Sequence, residues 1–357
     1  MLRNSYRILF FLFLVAAGLS AQDALKMPNA GGIPVLWEAV SIKDLDLKAG
    51  PGGEAMRPDL TTITFVEEQK GGFSKKYKIK DGAGKTWVAK VGDEAQSETA
   101  AVRLLSALGY KTDINYLVPS LTIPGKGTFT NVRLEARPDD VKRGDTWSWK
   151  ENPFKGTREF QGLKIMMAFL NNWDMKEDNN VILRRGDRLE YAISDLGVSF
   201  GKTGNKGLPI FWRIGRSRNS PKEYSEAEFI KNFKDGKINF NFNGKNDGSL
   251  ADIKHEDGRW LADLLMQLSD QQIADAFRAA NYTDAEVALL TGSVKSRIRA
   301  LDLATQHVSK IDAAKGVKGQ ATADYSASDI NLLTQAVRSR INQLDRAGVD
   351  RRIASIK

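Results

Sequence analysis

WDMKEDNN, from Trp173 to Asn180, and ISDLG, from Ile193 to Gly197, are the two stretches on which the reading of this chain turns. Between them VILR (Val181–Arg184) and LEYAIS (Leu189–Ser194) read as two strands, joined by Arg185-Gly186-Asp187 in a hairpin. Asp174 and Asn179, five residues apart, then sit at one hairpin end, and the Asp-x-Gly of Asp195 closes the other. The first stretch is fed by a helix. Phe160, Leu163, Met167 and Leu170 form one stripe, which Ile165, Met166 and Phe169 broaden until the helix is apolar nearly all round, hence buried. It stops at Asn171-Asn172.

Upstream, TTITFV (Thr61–Val66), KYKIK (Lys76–Lys80) and TWVAKV (Thr86–Val91) predict a three-stranded meander. Gly71-Gly72 turns between the first two strands and Asp81–Gly84 between the last two. A helix is predicted over Glu94–Leu108, with Val102, Leu105 and Leu108 on one face and Gly109 as its stop. Two strands follow, Tyr116–Ile123 and Phe129–Ala136. Pro138 and the polar stretch to Gly156 mark a crossing into a second unit. After Gly201 a Gly-, Asn- and Lys-rich section to Gly248 reads as loop with short helices, before helices over Trp260–Leu268 and Gln271–Ala280. The expected class is α+β, with a β-rich first lobe (59–137) and a helical second lobe (138–280).

The C-terminal part, 281–357, repeats itself. YTDAEVALLTGSVKSRIRALDLA from Tyr282 and YSASDINLLTQAVRSRINQLDRA from Tyr325 match in register at an offset of 43 residues. Each copy opens on a cap residue and an acidic first turn, then runs as an amphipathic helix. The copies are expected to pack on the body or on each other; a docking or dimerisation module is the rival reading.

Composition narrows the chemistry. The 357 residues carry no cysteine and two histidines, His255 and His307, far apart in sequence. Disulfides and thiolate chemistry are excluded, and a histidine-based triad or metal site is disfavoured. Residues 1–21 read as an export signal: Arg3 and Arg7, an apolar run Ile8–Leu19, and cleavage at Ala21–Gln22. An uncleaved anchor is the alternative. Residues 22–58, rich in Gly, Pro and Ala, read as a linker or extended lead-in. Net charge is +9, and cleavage leaves +7. That balance suits anionic partners, including nucleotides, phosphorylated groups and an acidic envelope surface. The charge is spread along the chain, so no nucleic-acid partner is expected.

These parts resemble the protein-kinase-like superfold in an atypical bacterial form, of the HipA-like, phosphoinositide-kinase-like or CotH-like pattern. D-M-K-E-D-N resembles the kinase D-x-K-x-x-N loop. The resemblance implies Asp174 as the base, Lys176 near the transferred phosphate and Asn179 on the metal. D-L-G resembles the D-F-G motif, implying Asp195 as a metal ligand. W-V-A-K, ending at Lys90, resembles the lysine strand, with Glu98 as its partner and Glu94 as an alternative. Gly71, Gly72 and Ser74 lie where the phosphate-covering turn would be. The chain departs from the pattern in lacking His-Arg before Asp174, A-P-E and the full G-x-G-x-x-G.

Taken singly, each feature also reads as a solvated lysine, a helix surface charge, a hairpin turn or a polar loop; their joint order carries the expectation. What it implies is a two-lobed fold using Mg²⁺ and ATP to phosphorylate an unidentified acceptor, protein or small-molecule hydroxyl. The alternatives are an inactive kinase-like scaffold and an adenylyl transferase.

Overall fold

Alternating strands and short turns build the first half of the computed structural model, which describes residues 31–70, 74–204, 215–234 and 236–314. Five strands, β2 (Thr64–Gln69), β3 (Lys75–Lys80), β4 (Thr86–Val91), β5 (Asn115–Ile123) and β6 (Gly127–Ala136), form one antiparallel sheet in the order β2-β3-β4-β6-β5. The first lies three residues later than its sequence pattern suggested. Period-two alternation splits the sheet into two faces. Tyr77, Ile79, Trp87, Ala89, Val132 and Leu134 form an apolar core on one face. On the other, Val88 stands opposite Glu135 and Lys90 opposite Arg133. Helix α1 (Glu94–Ala107) presents Glu98 to this charged face.

The second lobe holds a smaller sheet and most of the helices. Strands β1 (Ile33–Val35), β7 (Lys142–Arg143), β8 (Asn180–Arg185) and β9 (Arg188–Ile193) align in the order β1-β9-β8-β7. Helix α2 (Arg158–Phe169) starts at Thr157, whose hydroxyl accepts the Phe160 N–H at 3.2 Å. It ends where Asn171 takes a left-handed φ of 55°, a conformation asparagine tolerates. Helices α3 (Pro221–Glu226), α4 (His255–Leu265), α5 (Asp270–Arg278) and α6 (Asp284–Ala314) complete the lobe. Among the described residues no helix is long and apolar enough to cross a membrane.

Three expectations change. Residues 31–58 are not a loose lead-in, because Leu36, Ile42 and Leu47 are buried in the helical lobe's core and Met56 packs on the sheet core. The Gln272 amide fixes this strap by donating to the Ile42 and Leu45 carbonyls at 2.7 and 2.9 Å. The section after Gly201 contains a hairpin, β10 (Ile230–Lys234) with β11 (Lys237–Phe240), whose Ile238 and Phe240 reach the core. Position 281 is not a boundary: α6, the first repeat copy, packs Val287, Leu290, Val294 and Leu301 into the same core. The second copy lies outside the described residues, as do Gly71, Gly72 and residues 1–21.

Gly109 couples the strap to the end of α1. Its φ is +92°, and a Cβ there would stand 2.0 Å from the Glu38 carbonyl oxygen. Gly109→Ala is therefore expected to cost on the order of 3 kcal/mol in denaturant unfolding, from left-handed strain plus the clash. A loss under about 0.5 kcal/mol, the range of neutral surface changes, would show that the strap yields freely.

Candidate active site

Hairpin geometry decides where the two quoted stretches go. They do not occupy opposite ends. An antiparallel pair brings its first and last residues together, and Asn180 stands opposite Ile193. Both motifs therefore meet at the hairpin's open end. The Asn179 carbonyl accepts the Ser194 and Asp195 N–H groups at 2.8 and 3.3 Å, so the backbone itself sets their separation.

The first motif is braced from below. Trp173 Nε1 donates to the Ser217 carbonyl at 2.9 Å, and Asn246 Nδ2 to the Met175 carbonyl at 2.7 Å. Asn179 Nδ2 donates to the Asp174 carbonyl at 2.7 Å and to its Oδ2 at 3.3 Å. The Asp174 carboxylate also meets Lys176 Nζ at 2.9 Å and Lys245 Nζ at 3.4 Å. The hydrogen bond to Asp174 raises the Lys176 pKa above the ordinary lysine value, so Lys176 is a cation at neutral pH.

The second motif faces the sheet. Lys90 Nζ lies 3.0 Å from Glu98 Oε2, 3.1 Å from Glu94 Oε2 and 3.5 Å from both Asp195 oxygens. Lys90 and Glu98 are 3% and 1% exposed, whereas the Asp195 side chain is 38% exposed, so the pair is sealed and the aspartate is open to solvent. Burial penalises the Lys90 ammonium, but Glu98, Asp195 and Glu94 outweigh it and hold its pKa above the usual lysine value. Burial alone would raise the Asp195 pKa. Lys90, the Gly197 N–H at 3.0 Å and Arg133 reverse that, leaving it below the ordinary aspartate value. Asp195 is thus an anion across neutral pH.

Ser74 and Glu94 tie further elements to this centre. Ser74 Oγ donates to Glu94 Oε2 at 3.0 Å, and Arg218 Nη1 donates to Glu94 Oε1 at 2.7 Å. Glu94 therefore joins the end of the β2–β3 connection, Lys90 and the segment after Asp195. Arg133 Nε approaches Glu98 Oε2 at 3.1 Å and its Nη1 donates to Glu135 Oε2 at 2.6 Å.

Sequence reasoning missed Arg133, Arg218 and Lys245. The charges of Arg133 and Glu135 inside the otherwise apolar VRLEA strand were a usable signal, since buried charges need partners. Arg218 and Lys245 lie in a section without periodicity and carried none.

The donor set suits a hard cation that is completed by its substrate. Among the described residues no three acidic or histidine groups converge as a self-sufficient metal site. Asp195 offers one carboxylate and Asn179 one amide oxygen. Mg²⁺ characteristically takes one or two carboxylates and fills its remaining positions with water and phosphate oxygens.

No family model and no curated protein matches the sequence. Solved structures similar to it include the Helicobacter pylori proinflammatory kinase CtkA, at 12% identity and a TM-score of 0.43, covering 70% of this chain and 99% of that one. The Golgi casein kinase is similar at 10% identity and a TM-score of 0.37, over 79% of each chain. Its Mn/ADP-bound form gives 10% and 0.36, over 81% of this chain and 80% of that chain. The chain's own geometry is α+β, with a sheet lobe bearing Lys90 and a helical lobe bearing Asp174, Asn179 and Asp195.

Proposed function

We propose that this protein is a kinase-like phosphotransferase that uses Mg²⁺ and ATP. The observation that carries this reading is the sealed Lys90–Glu98 pair facing an ionised, solvent-exposed Asp195. A buried lysine held charged by a helix glutamate is positioned to neutralise phosphate oxygens. Asp195 and the Asn179 side-chain oxygen would hold the cation, which when bound offsets charge on the phosphates. Lys90 binds and orients those phosphates. Lys176 adds positive charge beside Asp174, and Asp174 accepts the proton of the attacking hydroxyl at a carboxylate oxygen. The rest is positioning: the Asn179 backbone fixes the spacing between Asp174 and Asp195, so little reorganisation accompanies transfer.

The acceptor is a hydroxyl on a protein or small molecule. The basic balance of the chain favours anionic partners, and export through residues 1–21 is part of the proposal. A second reading, a nucleotide-binding scaffold without transfer, is favoured by one observation: Asp174 is held by two lysines rather than left open.

The test is Mg²⁺-dependent ADP binding. Asp195→Asn is expected to weaken it at least tenfold, because removal of a charged metal ligand costs more than a neutral contact. Equal affinity in the parent and this variant, with and without Mg²⁺, would remove Asp195 from the site.

A further inference from the structure

A cavity of about 380 Å³ opens between the strap, the C-terminal half of α1, the turn after Gly109 and the chain leaving β6. That volume falls within the roughly 300–1,000 Å³ of small-molecule pockets. None of Lys90, Glu98, Asp174, Asn179 or Asp195 lines it. Leu45, Leu47, Ala107, Val141 and Leu183 give the wall an apolar part, and five cations with three carboxylates, Asp46, Asp113 and Glu190, give it a charged part.

Four of those cations are already matched. Lys111 pairs with Glu38, Arg137 with Glu135, Arg143 with Asp113, and Arg185 with Asp140. Arg103 is the exception among the described residues. It is 2% exposed and forms no ion pair. Its Nη1 donates to the Thr99 carbonyl at 3.1 Å and reaches the Asn115 carbonyl and Oδ1 at 3.4 Å, all uncharged. Its Nε has no hydrogen-bond partner. Burial pulls its pKa down to about 10, the response of a cation short of compensation. Asp46, which also lines the cavity, acts on Arg103 through space but forms no ion pair with it, and a buried guanidinium with no anion in contact is costly unless one arrives.

We propose that this cavity binds a small organic monocarboxylate with an apolar body. A guanidinium with no anion in contact calls for one negative charge, the apolar wall calls for a hydrophobic body, and a guanidinium is suited to a carboxylate. The site would bear on the nucleotide centre, because α1 carries Arg103 and, five residues earlier, Glu98.

The test uses benzoate as the probe and benzamide as its neutral counterpart, followed by calorimetry and ligand-observed NMR on the full chain. Saturable 1:1 benzoate binding is expected, with benzamide at least tenfold weaker. Arg103→Gln should weaken benzoate at least tenfold. Val141→Trp, which adds bulk to the cavity from its half-buried wall and keeps Arg103, should do the same. Saturating Mg²⁺·ADP should not displace the probe. Absent benzoate binding, equal benzamide binding, displacement by ADP, or unchanged affinity in either variant would overturn the proposal. Binding is read directly, so its failure is distinct from failure of the phosphotransferase reading.

Discussion

Asp174→Asn is expected to lower phosphoryl transfer by about 10²–10⁴-fold while leaving ADP affinity within a few-fold of the parent. The substitution keeps size and one acceptor oxygen but removes the charge that receives the hydroxyl proton. The side chain is fixed by Asn179 Nδ2 at 3.3 Å and Lys176 Nζ at 2.9 Å, contacts an asparagine oxygen can still accept. The fold is therefore expected to persist. Single-turnover transfer from ATP, measured beside equilibrium ADP binding, separates the two roles. Transfer at the parental rate would remove Asp174 as the base. A parent that binds Mg²⁺·ADP yet transfers no phosphate to protein or water would establish the scaffold reading.

Lys90→Met is expected to abolish Mg²⁺·ADP binding and to cost about 3 kcal/mol of stability, the low end for breaking a buried pair. The low end applies because Arg133 still meets Glu98. Lys90→Met combined with Glu98→Leu provides the sharper comparison. Replacing both partners by apolar groups should recover part of the lost stability, since Glu98 no longer needs a counter-ion, Arg133 keeps Glu135 and Glu94 keeps Arg218. Nucleotide binding should stay lost. Unchanged ADP affinity in the single variant would remove Lys90 from the phosphate site, and a double variant no more stable than the single would show the pair is not a unit. The pH response follows the same centre. Asp195 has a depressed folded pKa, so its contribution is present above the unfolded carboxylate value and is lost as pH falls through the lower folded value. Lys90→Met should shrink that acid-side loss. Lys90 itself, with a raised folded pKa, contributes fully below the unfolded lysine value and is lost only at strongly alkaline pH.

Local patterns in this chain were readable where one face of an element is buried. The KYKIK and TWVAKV alternation marked β3 and β4, and the broad apolar stripe marked α2, because burial on one face imposes a period. The motif resemblance and the order of its parts nominate Lys90, Glu98 and Asp195, and the structure places Glu98 and Asp195 within 3.5 Å of Lys90 Nζ. What could not be read depends on distant pairing. The strap's buried Leu36, Ile42 and Leu47 lie six and five residues apart, a spacing of neither helix nor strand, because each docks on the helical lobe's core separately. The β10–β11 hairpin is short, twisted through a register shift, and rich in lysine and asparagine, so its alternation is hidden. The meeting of the two motifs at the open hairpin end follows from strand register, which sequence spacing leaves undetermined.

Arg297, in the first repeat copy, is fully engaged at the end of α2. Its Nη1 donates to the Phe169 carbonyl at 2.8 Å and the Asn171 side-chain oxygen at 3.0 Å, its Nη2 reaches the Ala227 carbonyl at 3.0 Å, and its guanidinium lies 4.0 Å over the Tyr224 ring. The terminal carbonyls of a buried helix have no water to receive them, and a cation there also answers the helix dipole. The Asp174 loop begins four residues beyond Phe169. The helix expected to form a C-terminal tail is thus the support on which the Asp174 loop rests. Because these contacts use both guanidinium nitrogens and one face of its plane, a single substitution at Arg297 would loosen the end of α2, the start of the Asp174 loop and the segment at Ala227 together.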